Sequence, residues 1–352
     1  MTNTDIHNAI KAFDSVKNGL EIWVVANISD TVQNMEDFIH HANYSEFFTR
    51  AEFASIISAI SSINGYVRIF YSETELITYV CSNNRVINFD NIILYNFARD
   101  GIREGKKSLI PAFCDLYSIK YTGSNPFVIS LLRNKFIYSK YLEMMGITIP
   151  ASMRYMNYEF INDNTFAFPK RYIIKNNIES ASIGLSERNI IKANSIYDLY
   201  SKVKRISEEI KSSDIIIQEY ISGNECEVFV IKHKNQYYAF SPIMLIIHNS
   251  EILTDYISNN YEYSFELLSN KYSQAICNNI QRITERAAKY LNISGHARFD
   301  YRIDLEGNAY LTDIAGTPYI TRHSSIDYLF TSILNLEYSD IFKLISYIKL
   351  DD

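Results

Sequence analysis

Four cysteines are scattered through the 352 residues, Cys81, Cys114, Cys226 and Cys277, and no two form a Cys-x-x-Cys pair. Their spacing matches no zinc template, so a thiolate metal cage is excluded and reduced structural thiols are expected. No apolar run approaches the ~20 residues that span a bilayer. The stretch Met1–Asn18 alternates polar and apolar residues without a continuous hydrophobic segment, so a secretory signal is not expected. A basic excess is also missing. Lys and Arg number 34 against 40 Asp and Glu, a net charge of −6. That excludes broad nucleic-acid binding but leaves room for a local basic cleft around a nucleotide. Neither internal repeats nor a low-complexity linker is present. These absences lead us to expect a cytoplasmic protein with no nucleic-acid and no membrane partner.

With 47% hydrophobic residues, the chain can build more than one core. Glu21–Ile28, Tyr66–Tyr71 and Asn91–Phe97 are short apolar runs that read as parallel strands. Helical segments near Arg50–Ile63, Glu73–Val80 and Ser108–Tyr117 alternate with them, implying an open α/β unit. The turn cluster Tyr121–Asn125 precedes Pro126, and Pro126–Met145 reads as one long helix ended by Gly146. Ala151–Asn157, Arg171–Lys175 and Ile215–Tyr220 read as strands, with a helix at Tyr197–Lys211. Beyond them the chain turns β-rich: Glu225–Lys232 and Tyr237–Ile247 form an antiparallel pair, and tyrosine-rich Ser250–Leu268 reads as a loop. The helix Gln274–Leu291 precedes a hairpin, Ala297–Ile303 and Ala309–Ile314, turned at Asp304–Asn308. Helices near Ile326–Leu334 and Ser339–Ile348 finish the chain.

Chemistry concentrates in that hairpin. Residues two apart on a strand share a face, so Arg298 and Asp300 point the same way. The turn brings Asp313 opposite Asp300. Two adjacent carboxylates repel unless a cation relieves them, and Mg²⁺ accepts carboxylates together with phosphate oxygens. Arg298 beside them suits a transferring phosphoryl group or an oxyanion. The competing reading is a plain Arg–Asp ion pair on a hairpin.

The segment Gly295–Ser324 resembles the C-terminal signature of the D-alanine–D-alanine ligases. Arg298 and Asp300 match, Asp313 stands at a glutamate position, and Pro318, Thr321, His323 and Ser324 fall in register. Four further segments resemble the same family in the same order: Tyr121–Ser124, Leu131–Tyr141, Ile173–Ser186 and Ile215–Val230. The resemblance implies an α/β (α+β) ATP-grasp fold with three domains, 1–123, 124–219 and 220–352, and ATP held between the last two. It implies Lys135 and Lys175 on the phosphates, and Glu179 and Ser182 in a small-residue loop that closes over them. Gln218, the backbone of Glu219 and Ile221, and the Glu225 carboxylate would lie around adenine and ribose. Asp300 and Asp313 would carry Mg²⁺, and Arg298, Ser182 and Ser324 would face the reacting groups.

The substrate side departs from that pattern. Ala315 stands where the family has a metal-binding asparagine, Ala181 where it has a serine, and Tyr319 where it has a glycine. No glycine-rich opening with a substrate-orienting glutamate follows the first strand, where Ala26–Val32 stands instead. Ser250–Leu268 lacks an evident Lys-Tyr pair, leaving Tyr256, Tyr261 and Tyr263 as candidates for the tyrosine. The expected function is an ADP-forming carboxylate–amine ligase for amino acids or related molecules, in peptide or natural-product biosynthesis. D-Alanine–D-alanine ligation in cell-wall synthesis and a non-catalytic ATP-binding partner are the alternatives. A homodimer is the expected assembly.

Overall fold

A computed structural model describes residues 3–29, 46–161, 166–179, 182, 184–210 and 212–351. His40 and His41, which the sequence would place on a surface helix with a structural role, and the departure at Ala181 lie outside these residues. Helix α1 (Asn3–Val16) precedes a parallel sheet of β1 (Glu21–Ala26), β2 (Val67–Phe70), β3 (Ile92–Phe97) and β4 (Lys120–Tyr121), ordered β2-β1-β3-β4. Helices α2 (Arg50–Ile63), α3 (Glu73–Asn83) and α4 (Leu109–Tyr117) cross over between the strands. Strands β1 and β3 are apolar and almost wholly buried, as strands covered on both faces must be. The start of α2 is fixed by a capping box, in which Thr49 and Glu52 each satisfy the other's backbone N–H.

The expected single helix at Pro126–Met145 is two, α5 (Pro126–Arg133) and α6 (Lys135–Met144). Asn134 breaks it: its backbone is extended, and its side chain accepts from Ile137 N to cap α6. The α6 N-terminus docks on the loop after β7. Lys135 N donates to Asn177 O at 3.1 Å, and Phe136 N to Asn177 Oδ1 at 2.8 Å. Helical periodicity runs through Asn134 unbroken, so the pattern alone conceals the break.

A second, antiparallel sheet comprises β5 (Ser152–Met156), β6 (Glu159–Ile161), β7 (Lys170–Asn176), β8 (Ile190–Ala193) and β9 (Asp214–Glu219), ordered β6-β5-β9-β7-β8. Helix α7 (Ile196–Glu209) covers one face. The third sheet carries β10 (Asn224–His233), β11 (Gln236–Ala239), β12 (Ile243–Ile247), β13 (Tyr263–Leu267), β14 (His296–Ile303) and β15 (Ala309–Ala315). Its order is β13-β12-β10-β14-β15, with β11 also paired to β10. The chain passes from the second sheet to the third through Gly223, where a Cβ would stand 1.9 Å from Ile303 O. Only glycine fits there.

Ser250–Leu268 is not a loop. Thr254 caps a short helix α8 (Asp255–Asn260), and β13 follows as an edge strand on β12. Alternate half-buried residues Tyr263, Phe265 and Leu267 supply the two-residue period. After α9 (Gln274–Tyr290) and the β14–β15 hairpin come α10 (Ser325–Tyr328), a π turn, and α11 (Tyr338–Leu350). Helix α11 packs on α1 and α2, joining Ile341, Phe342 and Ile345 to the core that holds Phe13, Val24 and Ile60. Tyr95 Oη donates to Phe342 O at 2.7 Å from inside that core. Among the described residues, no helix is long and apolar enough to cross a membrane.

Candidate active site

The second and third sheets, with the loop after β1 and the start of α2, border a cleft of ≈ 540 Å³, and the twelve site residues that the resemblance implies all line it. Its centre is the hairpin. Asp300 and Asp313 are paired in register across β14 and β15, with a bulge just after Asp300. Arg298 grips Asp300 bidentately, Nε to Oδ1 and Nη2 to Oδ2 at 2.8 Å each, and reaches Glu227 at 3.2 Å. Burial lowers the Arg298 pKa, but Asp300 and Glu227 beside it raise it above its ordinary value.

Asp313 receives Lys135 Nζ at 3.2 Å, Tyr138 Oη at 2.8 Å and Ile314 N at 2.9 Å. Burial would raise its pKa, but Lys135, Lys175 and these donors hold it down to about 2. Lys175, on β7, is shifted downward by burial, with Asp313 opposing. Two cations thus converge on one carboxylate, an arrangement ready to receive further negative charge.

Around this centre the remaining residues divide. Gln218 on β9 is 1% exposed, and both polar atoms of its amide lack a partner among the described residues. A buried amide facing a cleft with nothing to bond implies a ligand that bonds it. Glu219 spends its N–H on Ala151 O, so only its carbonyl remains for a ligand edge. Ile221 O accepts from Arg302 Nε at 3.0 Å, and Glu225 lies 3.4 Å from Arg302 Nη1. Glu179 pairs with Arg133 at 3.3 Å. Ser182 adopts a left-handed φ of 55°. Ser324 reaches the cleft, but its hydroxyl is committed: it donates to Thr321 O and accepts from Asp327 N as the α10 cap.

Several lining residues escaped the sequence reading. Glu227 follows Glu225 on the same face of β10, and Arg302 follows Arg298 and Asp300 on β14. The period-two rule, carried one step further along each strand, finds both. Burial, then Asp300 opposing Arg298, pushes the Glu227 carboxyl up to about 7, and Ser325 Oγ donates to it. Ala26–Val32 does not supply the glutamate expected after β1, but the start of α2 puts Glu52 in the cleft wall. Tyr261 Oη donates to Glu52 at 2.8 Å, and its ring stacks on His323 at 3.9 Å. Tyr263 donates to His323 O at 3.0 Å, while Tyr256 is exposed and does not line the cleft. Tyr319 turns its hydroxyl onto Glu46 O at 2.6 Å.

Residues 149–345 match the family model described as D-ala D-ala ligase C-terminus. The chain belongs to that family. This member is 24% identical over 225 residues to the D-alanine–D-alanine ligase of Porphyromonas gingivalis, a match covering 63% of the chain and 66% of that protein. The corresponding ligase of Marinomonas sp. is 26% identical over 229 residues, covering 63% and 67%. That of Wigglesworthia glossinidia brevipalpis is 26% identical over 292 residues, covering 80% and 77%. The matches to the first two span about two thirds of those relatives. The structure of a Bacillus anthracis D-alanine–D-alanine ligase complexed with ATP superposes with a TM-score of 0.65 at 17% identity, covering 94% of this chain and 97% of that one. The fold of this family member is therefore ATP-grasp.

Proposed function

We propose that this family member is an ATP-dependent, ADP-forming ligase that joins the carboxylate of one amino acid to the amine of another. The observation that carries the reading is the meeting, in one cleft, of the Arg298–Asp300–Asp313 hairpin with buried Lys135 and half-buried Lys175. In this reading units 124–219 and 220–352 close on ATP, and 1–123 completes the substrate end. Lys135 and Lys175 hold phosphate oxygens, Gln218 and the Glu219 and Ile221 backbone take the base, and Glu225 takes the ribose hydroxyls.

Asp300 and Asp313 fit Mg²⁺ because two carboxylates stand in register. Among the described residues no group of three His, Cys, Asp or Glu forms a cage, so phosphate oxygens and water would complete the shell. The bound ion would offset phosphate charge. The donor carboxylate attacks the γ-phosphorus and ADP leaves. The acceptor amine then attacks the acyl carbon, and phosphate leaves as the amine gives up its proton. Arg298 stabilises the charge that develops on the acyl oxygen. Ser182 and Glu179 lie on the loop that would exclude water from the acyl phosphate.

The relatives' names favour D-alanine for both substrates over the natural-product reading. A different pair is favoured by the substrate end, where the Tyr319 ring stands in the loop after β15 and Arg99 packs against it. The test is phosphate release from Mg-ATP with D- and L-amino acids offered singly and in pairs. Amino-acid-dependent release with a coupled product by mass spectrometry is expected. Bound ATP with no turnover across the panel would instead indicate a non-catalytic ATP-binding partner. A homodimer through residues 1–123 is part of the proposal, and solution mass tests it.

A further inference from the structure

Behind the hairpin lies a second cavity of ≈ 90 Å³, sharing Arg298, Asp300, Asp313 and Tyr319 with the main cleft. Its outer wall is basic: Arg99, Lys107 and Arg133 line it, and they are 1%, 6% and 5% exposed. Buried cations need counter-charge. Among the described residues Glu46, wholly buried, serves Lys106 at 3.5 Å, Lys107 at 2.5 Å and Arg133 at 3.2 Å. Arg133 shares itself with Glu179. Arg99 adds a further positive charge within the field of Glu46.

Arg99 pairs with no carboxylate among the described residues. Its Nη2 donates to Thr317 O at 3.3 Å, and its guanidinium lies 3.9 Å from the Tyr319 ring and 4.9 Å from that of Phe48. Its Nε is buried without an acceptor among the described residues. The position is built: Arg99 N donates to Asn27 Oδ1 at 2.6 Å, and Asn27 Nδ2 donates to Glu73 Oε2 at 2.9 Å. Lys107 is held at a φ of 69°, a conformation that costs a side-chain-bearing residue and persists only where surroundings impose it. Burial, then repulsion from Arg99, Arg133 and Lys106, lowers the Lys107 pKa well below the usual lysine value despite Glu46. A further anion would relieve that repulsion.

We infer that this cavity takes the side-chain carboxylate of the acyl donor, so that the donor is an acidic amino acid such as glutamate or aspartate. The inference rests on the ligase reading. A cavity of ≈ 90 Å³ has room for the few atoms of a short side chain that ends in a carboxylate. Ala315 and Gly316 border the cavity and leave that room open. An alanine donor would offer Arg99 no carboxylate.

The test titrates the full chain, saturated with Mg²⁺ and a non-hydrolysable ATP analogue, with glutamate, glutamine, aspartate and asparagine in both enantiomers, and with alanine. One acid is expected to bind at least about tenfold tighter than its amide, the worth of one charge-assisted pair. Arg99→Gln should bring that ratio close to one, with a thermal melt to confirm folding. If that variant does not fold, Lys107→Gln reads the same ratio. Amides bound as tightly as acids, or an acid preference that survives substitution, would overturn the inference. Selective acid binding with no phosphate release for any amino-acid pair would sink the ligase reading and leave the cavity's role standing. Release driven by alanine without acid preference would do the reverse.

Discussion

The two ends of the cleft are built by different means. At the end proposed for the nucleotide, Lys175, Gln218, Glu225, Arg298, Asp300 and Asp313 all sit on strands, where hydrogen-bond register fixes which side chains meet. At the end proposed for the substrate, Glu52, Tyr261, Tyr319 and His323 come from loops and helix starts far apart in the chain. Tyr261 and Glu52, which share a hydrogen bond, are separated by 209 residues. A strand can be copied with its chemistry intact because its neighbours are set by period and pairing. A junction of loops can change one residue at a time.

The largest expected effect breaks the strand-built end. Arg298→Ala should lower amino-acid-dependent phosphate release by about 10²–10³, as loss of a transition-state donor does. ATP affinity, measured by titration, should stay within about threefold. Equal losses in both would place Arg298 in nucleotide binding instead.

That contrast also explains what the sequence discloses. The Arg298–Asp300 face and the Asp300–Asp313 pairing follow from period two and a five-residue turn, and both are present. Lys175 and Gln218 follow from strands whose bounds differ from the expected ones by one residue at each end. Glu227 and Arg302 obey the same rule and required only its extension. Glu52 does not: 23 residues separate β1 from α2, and only the Thr49–Glu52 capping pair marks the helix start. Asn134 hides because a capping residue in the middle of an amphipathic run leaves the period intact. Tyr261 reads as a loop residue because polar residues mask α8 and the short edge strand after it.

A second expectation concerns the strand beneath both ends. His296, at the start of β14, is fully buried, and burial lowers its pKa from 6.5 to about 4. The unfolded chain therefore binds a proton between those pH values while the folded chain does not. Its stabilising contribution is present above pH 6.5 and is lost as pH falls through 4, up to about 3 kcal/mol. Melting temperature should decline across that window, and His296→Gln should flatten the decline. Nucleotide and substrate binding should weaken together there, since both ends rest on β14.

The smallest effect isolates the loop-built end. Glu52→Gln weakens the acceptor for Tyr261 and should raise the amino-acid KM about tenfold while the ATP KM stays level. A matching rise in both constants would mean that the ends are not separable.

The packing of α11 on α1 and α2 bears on how the protein is made. Phe13 and Ile60 share their core with Ile341, Phe342 and Ile345, so residues near the start wait for residues near 345 before that core closes. During synthesis the apolar faces of α1 and α2 emerge long before their cover. The second sheet, complete within residues 152–219, can settle while the ribosome is still working on the third. Order of assembly therefore runs from the middle outward, and the early-emerging helices depend longest on whatever shields exposed chain in the cell.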